Sequence, residues 1–283
     1  MQTHPLLPKL KALRLGGMIH TLERRSEQAL ESSMAPLEFL ALLLDDEIER
    51  REQGRLRRRI NSARIDDNKT LAKFDFSAAV RVKKSLINEL ASCRFVARAE
   101  NVLLAGPTGT GKSHLAQALG HEAIKRGYRV LYRPVHKLLA KLHARRADGT
   151  FEKIYRRVLN VDVLMLDDFG LVPLSEQATE DLYEIIRKRY ENKSIVVTSN
   201  RAPEEWSDVF GNPLMASAAL DRLTHHSYFI EIKGESYRQR ERKEKSKPSI
   251  FKRKEKNESK SLSKSNNQST DKQIRKEEKA GDS

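Results

Sequence analysis

Apolar positions along this chain follow two different periods, and the change from one to the other divides it. Up to about residue 75 the interval is three and four. There "LLPKLKALRLGGMIHTLERRSEQAL" and "APLEFLALLLDDEIERREQGRLRRRI" place Leu, Ile and Phe at that spacing with charges between them. A helix burying one stripe gives this pattern, so two or three amphipathic helices are expected over 1–75. From about 76 to 232, short runs rich in Val, Ile and Leu alternate with helical stretches: "NVLLAG", "RVLYRPV", "VDVLMLDDFG", "SIVVTSN" and "YFIEI". They lack strict apolar–polar alternation, as strands do when helices cover both faces of a parallel sheet. The expected fold is therefore α/β with a five-stranded parallel sheet, preceded by a small helical domain.

Past Ile232 the periodicity stops. From Lys233 onward there are 17 basic and 9 acidic residues and few apolar ones. Such a stretch cannot bury enough surface to offset its ordering entropy, and most of it is expected to be disordered. The divisions that follow are 1–75, 76–238 and 239–283.

Charge adds a partner class. The 283 residues include 54 Lys and Arg against 39 Asp and Glu, a formal charge of +15, which favours a polyanion, with nucleic acid the leading candidate. One cysteine, Cys93, rules out an internal disulfide or a multi-cysteine metal site and fits a reducing compartment. The first twenty residues lack a signal-peptide apolar segment, and no apolar run approaches the roughly 18 residues of a membrane span. A cytoplasmic protein without a membrane partner is expected.

Three glycines in six residues, Gly106, Gly109 and Gly111, stand between "NVLLA" and the helical "SHLAQALGHEAIKRG". With Pro107, Thr108, Thr110, Lys112 and Ser113 they form "GPTGTGKS", the spacing of a phosphate-binding P-loop in its strand-then-helix setting. Glycines let backbone N–H groups turn toward phosphate oxygens, and the following helix aims its positive dipole end at the same anion. Lys112 supplies a mobile cation for the β and γ phosphates of ATP, and the Ser113 hydroxyl can complete a Mg²⁺ shell. A glycine-rich turn matching by accident is the plain alternative, and the flanking elements argue against it.

Mg²⁺ then needs a carboxylate at the end of a neighbouring strand, and "VDVLMLDDFG" offers two. Asp167 is placed to hold Mg²⁺, directly or through water, and Asp168 to orient an attacking water. A helix cap or acidic turn is the competing reading. Asn200 ends "SIVVTSN", where it could hydrogen-bond that water or the γ-phosphate, or simply form a turn.

The loop, the Asp-Asp strand end and the Asn strand end, in that order, resemble the AAA+ ATPases. Longer stretches, "LLAGPTGTGKSHLAQALGHEAIKRGYRVLY", "LLAKLHARRADGTFEKIYRRVLNVDVLMLDDFG", "VVTSNRAPEEW" and "ALDRLTHHSYFIEIKGESYR", resemble the IstB-like ATPases. These are helper proteins of bacterial insertion sequences, related to the DnaC helicase loaders. The resemblance runs from about Leu6 to Arg238. It implies an AAA+-type fold and an ATP-dependent oligomer on double-stranded DNA that assists a transposase. It also implies an arginine from one subunit completing the ATP site of the next. The matching position is Arg222, whose alternative is an ordinary helix-surface arginine paired with Asp221 or solvent. His114 matches the residue after the loop serine, is counted with the nucleotide-binding residues, and reads as a packing residue near the nucleotide rather than a catalyst.

Two departures matter. Many AAA+ proteins carry Glu where this chain has Asp168, one methylene shorter, which implies weak or partner-stimulated hydrolysis. No apolar helical lid follows "YFIEI", so no full C-terminal lid is expected and Arg238 is left as a nucleotide contact. Two rivals stay open. A helicase loader shares the ATP site and differs in partner, and a small-molecule P-loop kinase would need an acceptor pocket and an arginine-bearing lid, neither of which is visible.

Weaker signals complete the reading. "RREQGRLRRRINSAR" carries Arg50, Arg51, Arg55, Arg57, Arg58, Arg59 and Arg64 on an expected helix, with Glu52 as the only balance, which suits DNA phosphates or a solvated face. The basic tail could tether DNA or merely solubilise. His225 and His226 lack a Cys or Glu companion, which argues against zinc. Cys93 reads as a core or helix residue and Trp206 as an anchoring aromatic.

Overall fold

The computed structural model describes residues 5–76, 82–234 and 236–237. The stretch 239–283, with its expected disorder, and Arg238 lie outside the described residues.

Three helices open the chain: α1 (Leu6–Ala12), α2 (Gly16–Glu31) and α3 (Pro36–Ala63). Proline at the first position of α3 and Glu38 accepting the Ala35 N–H at 3.3 Å start that helix. The apolar stripes meet in a small core of Met18, Leu22 and Leu43, with Leu7, Leu10, Leu15 and Phe39 against it. Gly17 permits the close crossing, since a Cβ there would stand 2.6 Å from the Glu47 Cα. The buried Glu47 accepts the Gly17 N–H at 2.5 Å, and Arg25 forks onto Asp46 at 2.8 and 2.9 Å. At 28 residues α3 spans about 42 Å, and it ends in a left-handed Arg64 (φ 61°). Its last turns leave the small core: Ala63 is buried beside α6 and the sheet, with Leu56 and Ile60 packed alongside.

The rest alternates strands and helices: α4 (Lys84–Ala91), α5 (Arg94–Ala97), β1 (Asn101–Ala105), α6 (Lys112–Lys125), β2 (Val130–Pro134), α7 (Val135–Ala147), α8 (Phe151–Asn160), β3 (Val163–Phe169), α9 (Glu176–Arg189), β4 (Ser194–Ser199), α10 (Pro213–Thr224) and β5 (Ser227–Glu231). All five expected strands form, in one parallel sheet ordered β2-β3-β4-β1-β5. Alternate residues enter opposite cores. Leu103, Leu164, Leu166, Ile195 and Val197 pack with α7–α10, whereas Val102, Leu104, Val163, Met165 and Val196 pack with α4–α6. Burial on both faces explains why the strand sequences read as unbroken apolar runs. Asn212 caps α10 through the Leu214 and Met215 N–H groups, and Ser175 caps α9 through that of Ala178.

Candidate nucleotide site

The glycine loop leaves β1 at the carboxyl edge of the sheet. Gly106 (φ 146°) must be glycine, because a Cβ would lie 2.1 Å from the Ile232 carbonyl oxygen. Its N–H bonds the Ser199 carbonyl at 3.2 Å, tying the loop to the end of β4. Gly109 (φ 86°) and Gly111 (φ 94°) take left-handed backbone that disfavours side chains. Pro107 and Thr108 form the exposed rim. The Thr110 hydroxyl and the Lys112 ammonium both donate to the Pro107 carbonyl, at 2.9 and 2.8 Å, so the loop is closed on itself. Lys112, Ser113 and His114 make the first turn of α6, whose N-terminal N–H groups and dipole face the loop. This cradle fits a nucleotide's phosphates.

The two aspartates part at a bulge between Leu166 and Phe169. Asp167 is buried at 4 % exposure, and its two oxygens accept from the Tyr132 hydroxyl of β2 and the Thr198 hydroxyl of β4. Asp168, with φ at 55°, is exposed, and its N–H donates to Thr198 Oγ1 at 3.2 Å. Burial, then the neighbouring Asp167, pushes the Tyr132 hydroxyl pKa far above its ordinary value, so it stays a proton donor. A carboxylate fixed by two hydroxyls still has lone pairs for a Mg²⁺ ion or its water, with Ser113 the second oxygen donor. Asn200 is exposed directly after β4, one residue beyond Ser199, which pairs with Ala105. The loop, both aspartates and Asn200 thus meet at one edge of the sheet. Trp206, fully buried, packs edge-on to Phe169 at 5.1 Å and donates to the Arg201 carbonyl at 3.2 Å, the anchoring expected of it.

A strap the sequence did not reveal crosses α6. The Asp66 N–H bonds Gln117 Oε1 at 2.9 Å, His121 Nε2 meets the Asp66 carbonyl at 2.9 Å, and His114 Nε2 meets that of Thr70 at 3.0 Å. Phe74 closes it, edge-on to His114 at 5.5 Å and against Gly111. His114 is therefore a packing residue beside the loop. Tyr132, Thr198, Gln117 and His121 carry no local signal, because their roles depend on which elements become neighbours.

Arg222 lies elsewhere. It donates to the Ala218 carbonyl at 2.7 Å and faces the rings of Tyr183 and Tyr190 at 5.7 and 6.0 Å. Its own carbonyl is 3.4 Å from the Asn101 amide, at the start of β1, while the P-loop follows the strand's other end. Five strand residues separate them, about 16 Å. Arg222 and the loop of the same chain are not brought together.

The arginines Arg50, Arg51, Arg55, Arg57, Arg58, Arg59 and Arg64 are all exposed. Their expected lack of balance needs one correction: Glu47, a turn earlier on α3, pairs with Arg51 at 2.6 Å. Arg64 adds to a second basic group. Arg133 is drawn down to about 10, first by burial and then by the Arg64 and Arg157 charges, and the Lys141 ammonium is lowered by burial and the same neighbours. Arg157 itself donates to the Ser62 carbonyl at 3.0 Å. The reading of His225 and His226 also changes, since Glu191, more than thirty residues earlier, stands beside them. Cys93 is buried, and burial pushes its thiol up to about 11, which keeps it unreactive.

The strand order, the loop after β1 and the aspartate ending β3 define a P-loop NTPase of the AAA+ type. The chain belongs to the family described as IstB-like ATP binding protein, which matches residues 8–245. A Pseudomonas aeruginosa relative, named as an ATP-binding protein of insertion sequence IS21, is 37 % identical over 240 residues, covering 85 % of this chain and 91 % of its own. A Mycobacterium tuberculosis relative, named as an insertion-sequence ATP-binding protein, is 38 % identical over 234 residues, covering 82 % and 93 %. Among solved structures, the replication initiator DnaA bound to AMPPCP and single-stranded DNA superposes with TM-score 0.52 and 26 % identity, covering 60 % of this chain and 51 % of that one. DnaI gives 0.51 and 26 %, covering 58 % and 90 %. Among the described residues no helix is long and apolar enough to cross a membrane.

Proposed function

We propose that this protein binds and hydrolyses ATP, oligomerises through its ATP sites on double-stranded DNA, and assists a transposase there. The observation that carries the ATP part is the joining of a glycine cradle, Lys112, Ser113 and the two aspartates at one sheet edge. In this reading residues 106–113 hold the phosphates, and Lys112 turns from the Pro107 carbonyl to the β and γ oxygens. Ser113 and Asp167 hold Mg²⁺, which when bound offsets charge on the phosphate oxygens. Exposed Asp168 orients the attacking water, with Asn200 beside it. The hydroxyls of Tyr132 and Thr198 keep Asp167 from rotating.

Arg222 supports the oligomer. Lying at the far end of β1 from its own loop, it can serve only another subunit's γ-phosphate, where a guanidinium offsets charge developing during transfer. The exposed arginines of α3, with Arg64, Arg133 and Arg157, supply a phosphate-binding surface. The relatives' insertion-sequence names support the transposase as partner. The sequence resemblance to the DnaC helicase loaders keeps a second reading, a helicase loader, and pull-down against a transposase and a replicative helicase separates the two. We keep 1–75 as the helical part, 76–238 as the ATPase part and 239–283 as the tail.

The test is nucleotide titration of Lys112→Ala and Asp168→Asn. The first should lose tight ATP binding, because the loop amides stay but the mobile charge is gone. The second should bind ATP and Mg²⁺ as the parent does yet turn over slowly. Unchanged affinity in Lys112→Ala refutes the loop assignment, and unchanged turnover in Asp168→Asn removes that residue from the chemistry.

A further inference from the structure

At the opposite edge of the sheet, where β4 and β5 begin, Glu191, His225 and His226 converge, all three exposed. One ligand atom from each lies within 4.8 Å of the others. The two imidazole rings are 4.0 Å apart between centroids, and His226 Nε2 is 3.8 Å from Glu191 Oε1. The three side chains come from two chain segments that are separately fixed. Glu191 sits in a turn after α9 with left-handed backbone (φ 57°), held by the Asn192 and Lys193 N–H groups on the Arg189 carbonyl at 3.0 and 2.9 Å. His225 ends α10, its N–H on the Asp221 carbonyl at 2.9 Å.

Tyr190 supplies what such a cluster needs beyond its ligands. Its hydroxyl is 2.7 Å from His225 Nδ1 and also stands within hydrogen-bonding reach of Glu191. With the phenol proton directed to Glu191, its oxygen can accept the His225 Nδ1–H, which leaves the imidazole lone pair on Nε2. Metal-binding histidines are oriented in this way, by an acceptor on the ring nitrogen that does not touch the ion.

We propose that Glu191, His225 and His226 form a binding site for a zinc-class divalent cation, with Tyr190 as its outer-shell support. Two imidazole nitrogens and one carboxylate match the donor preference of Zn²⁺ and its first-row neighbours. Mg²⁺, which takes oxygen ligands, is disfavoured, so the site is chemically separate from the nucleotide site. Zinc bonds of about 2.0–2.1 Å require the ligand atoms to draw closer than they stand, and exposed side chains can do so without moving the core. Three protein ligands leave a fourth position for water. The location gives the site a consequence, because the Tyr190 ring is also the surface that Arg222 faces at 6.0 Å. A loaded site would fix that ring.

The experiment titrates the full chain with Zn²⁺ and with Co²⁺ as a spectroscopic probe, in excess Mg²⁺, monitoring the fold by circular dichroism. The parent should take up one equivalent, with the visible absorption of nitrogen-and-oxygen-ligated Co²⁺ unaffected by Mg²⁺. The double variant His225→Ala/His226→Ala should lose that absorption, and Glu191→Gln should bind much more weakly. Tyr190→Phe should keep the spectrum but bind about tenfold more weakly, the usual effect of removing an outer-shell partner. A parent that binds no Zn²⁺ at sub-millimolar concentration, or a double variant that binds as the parent does, overturns the proposal.

Discussion

Arg189 offers a stability prediction whose size follows from its contacts. The side chain closes α9 at 1 % exposure and reaches under the sheet. Its Nη1 donates to the carbonyls of Val158 and Val161, both at 2.9 Å, and its Nη2 to that of Ser194 at 2.7 Å, with longer contacts to Leu159 and Asp162 at 3.3 Å. One guanidinium thus joins the end of α8 and the starts of β3 and β4. Three hydrogen bonds from a charged donor are worth about 1.5–3 kcal/mol each, roughly 4.5–9 in all. Against that, burial lowers its pKa from 12.5 to about 10, a desolvation cost on the order of 3 kcal/mol. The buried Nε, without a hydrogen-bond partner among the described residues, adds to the cost. The bonds win by about 3 kcal/mol. Arg189→Met keeps the volume and removes both the bonds and the charge. It should destabilise by about 3 kcal/mol, a fall in Tm of roughly 6–12 °C for an ordered region of this size. Thermal and urea melts followed by circular dichroism measure it. A methionine variant within about 0.5 kcal/mol of the parent would show that the three bonds merely repay the buried charge, and the account would be wrong.

Other expected outcomes concern assembly, DNA and acid. Arg222→Ala should bind ATP normally but lose ATP-dependent oligomers and hydrolysis together; sedimentation with and without ATP checks this, and intact oligomers with normal turnover would remove Arg222 from the site. Replacing the exposed Arg57, Arg58 and Arg59 with alanine should flatten the dependence of log affinity for double-stranded DNA on log salt by roughly two to three. An unchanged slope would move the DNA surface off α3. Arg25 first, then Thr21, holds the Asp46 carboxyl down to about 2, against an ordinary 3.8. Its contribution to the α2–α3 hairpin is therefore complete above about pH 4 and lost as pH falls through 2. Hydrogen exchange in α2 should rise over that interval in the parent but not in Asp46→Asn, and equal rises would exclude Asp46 as the cause.

What the sequence determined by itself was local. "NVLLAGPTGTGKS" named a strand, a loop and a helix start because the glycine spacing and the change of period are properties of adjacent residues. The five strands were legible for the same reason. Tertiary structure decided everything that joins distant segments. Only the order β2-β3-β4-β1-β5 and its register bring Tyr132 and Thr198, each more than thirty residues away, onto Asp167. Only the crossing of α2 and α3 buries Glu47 against the Gly17 N–H, and only the pairing of β1 with both β4 and β5 sets Glu191 beside the two histidines. The bulge that buries Asp167 and exposes Asp168 arises in the β3–β4 ladder, and two adjacent aspartates carry no mark of it. Strand order and register are fixed by hydrogen-bond ladders and by helix packing on both faces. Those are sums over residues far apart in the chain, so the spacing of near neighbours cannot encode them.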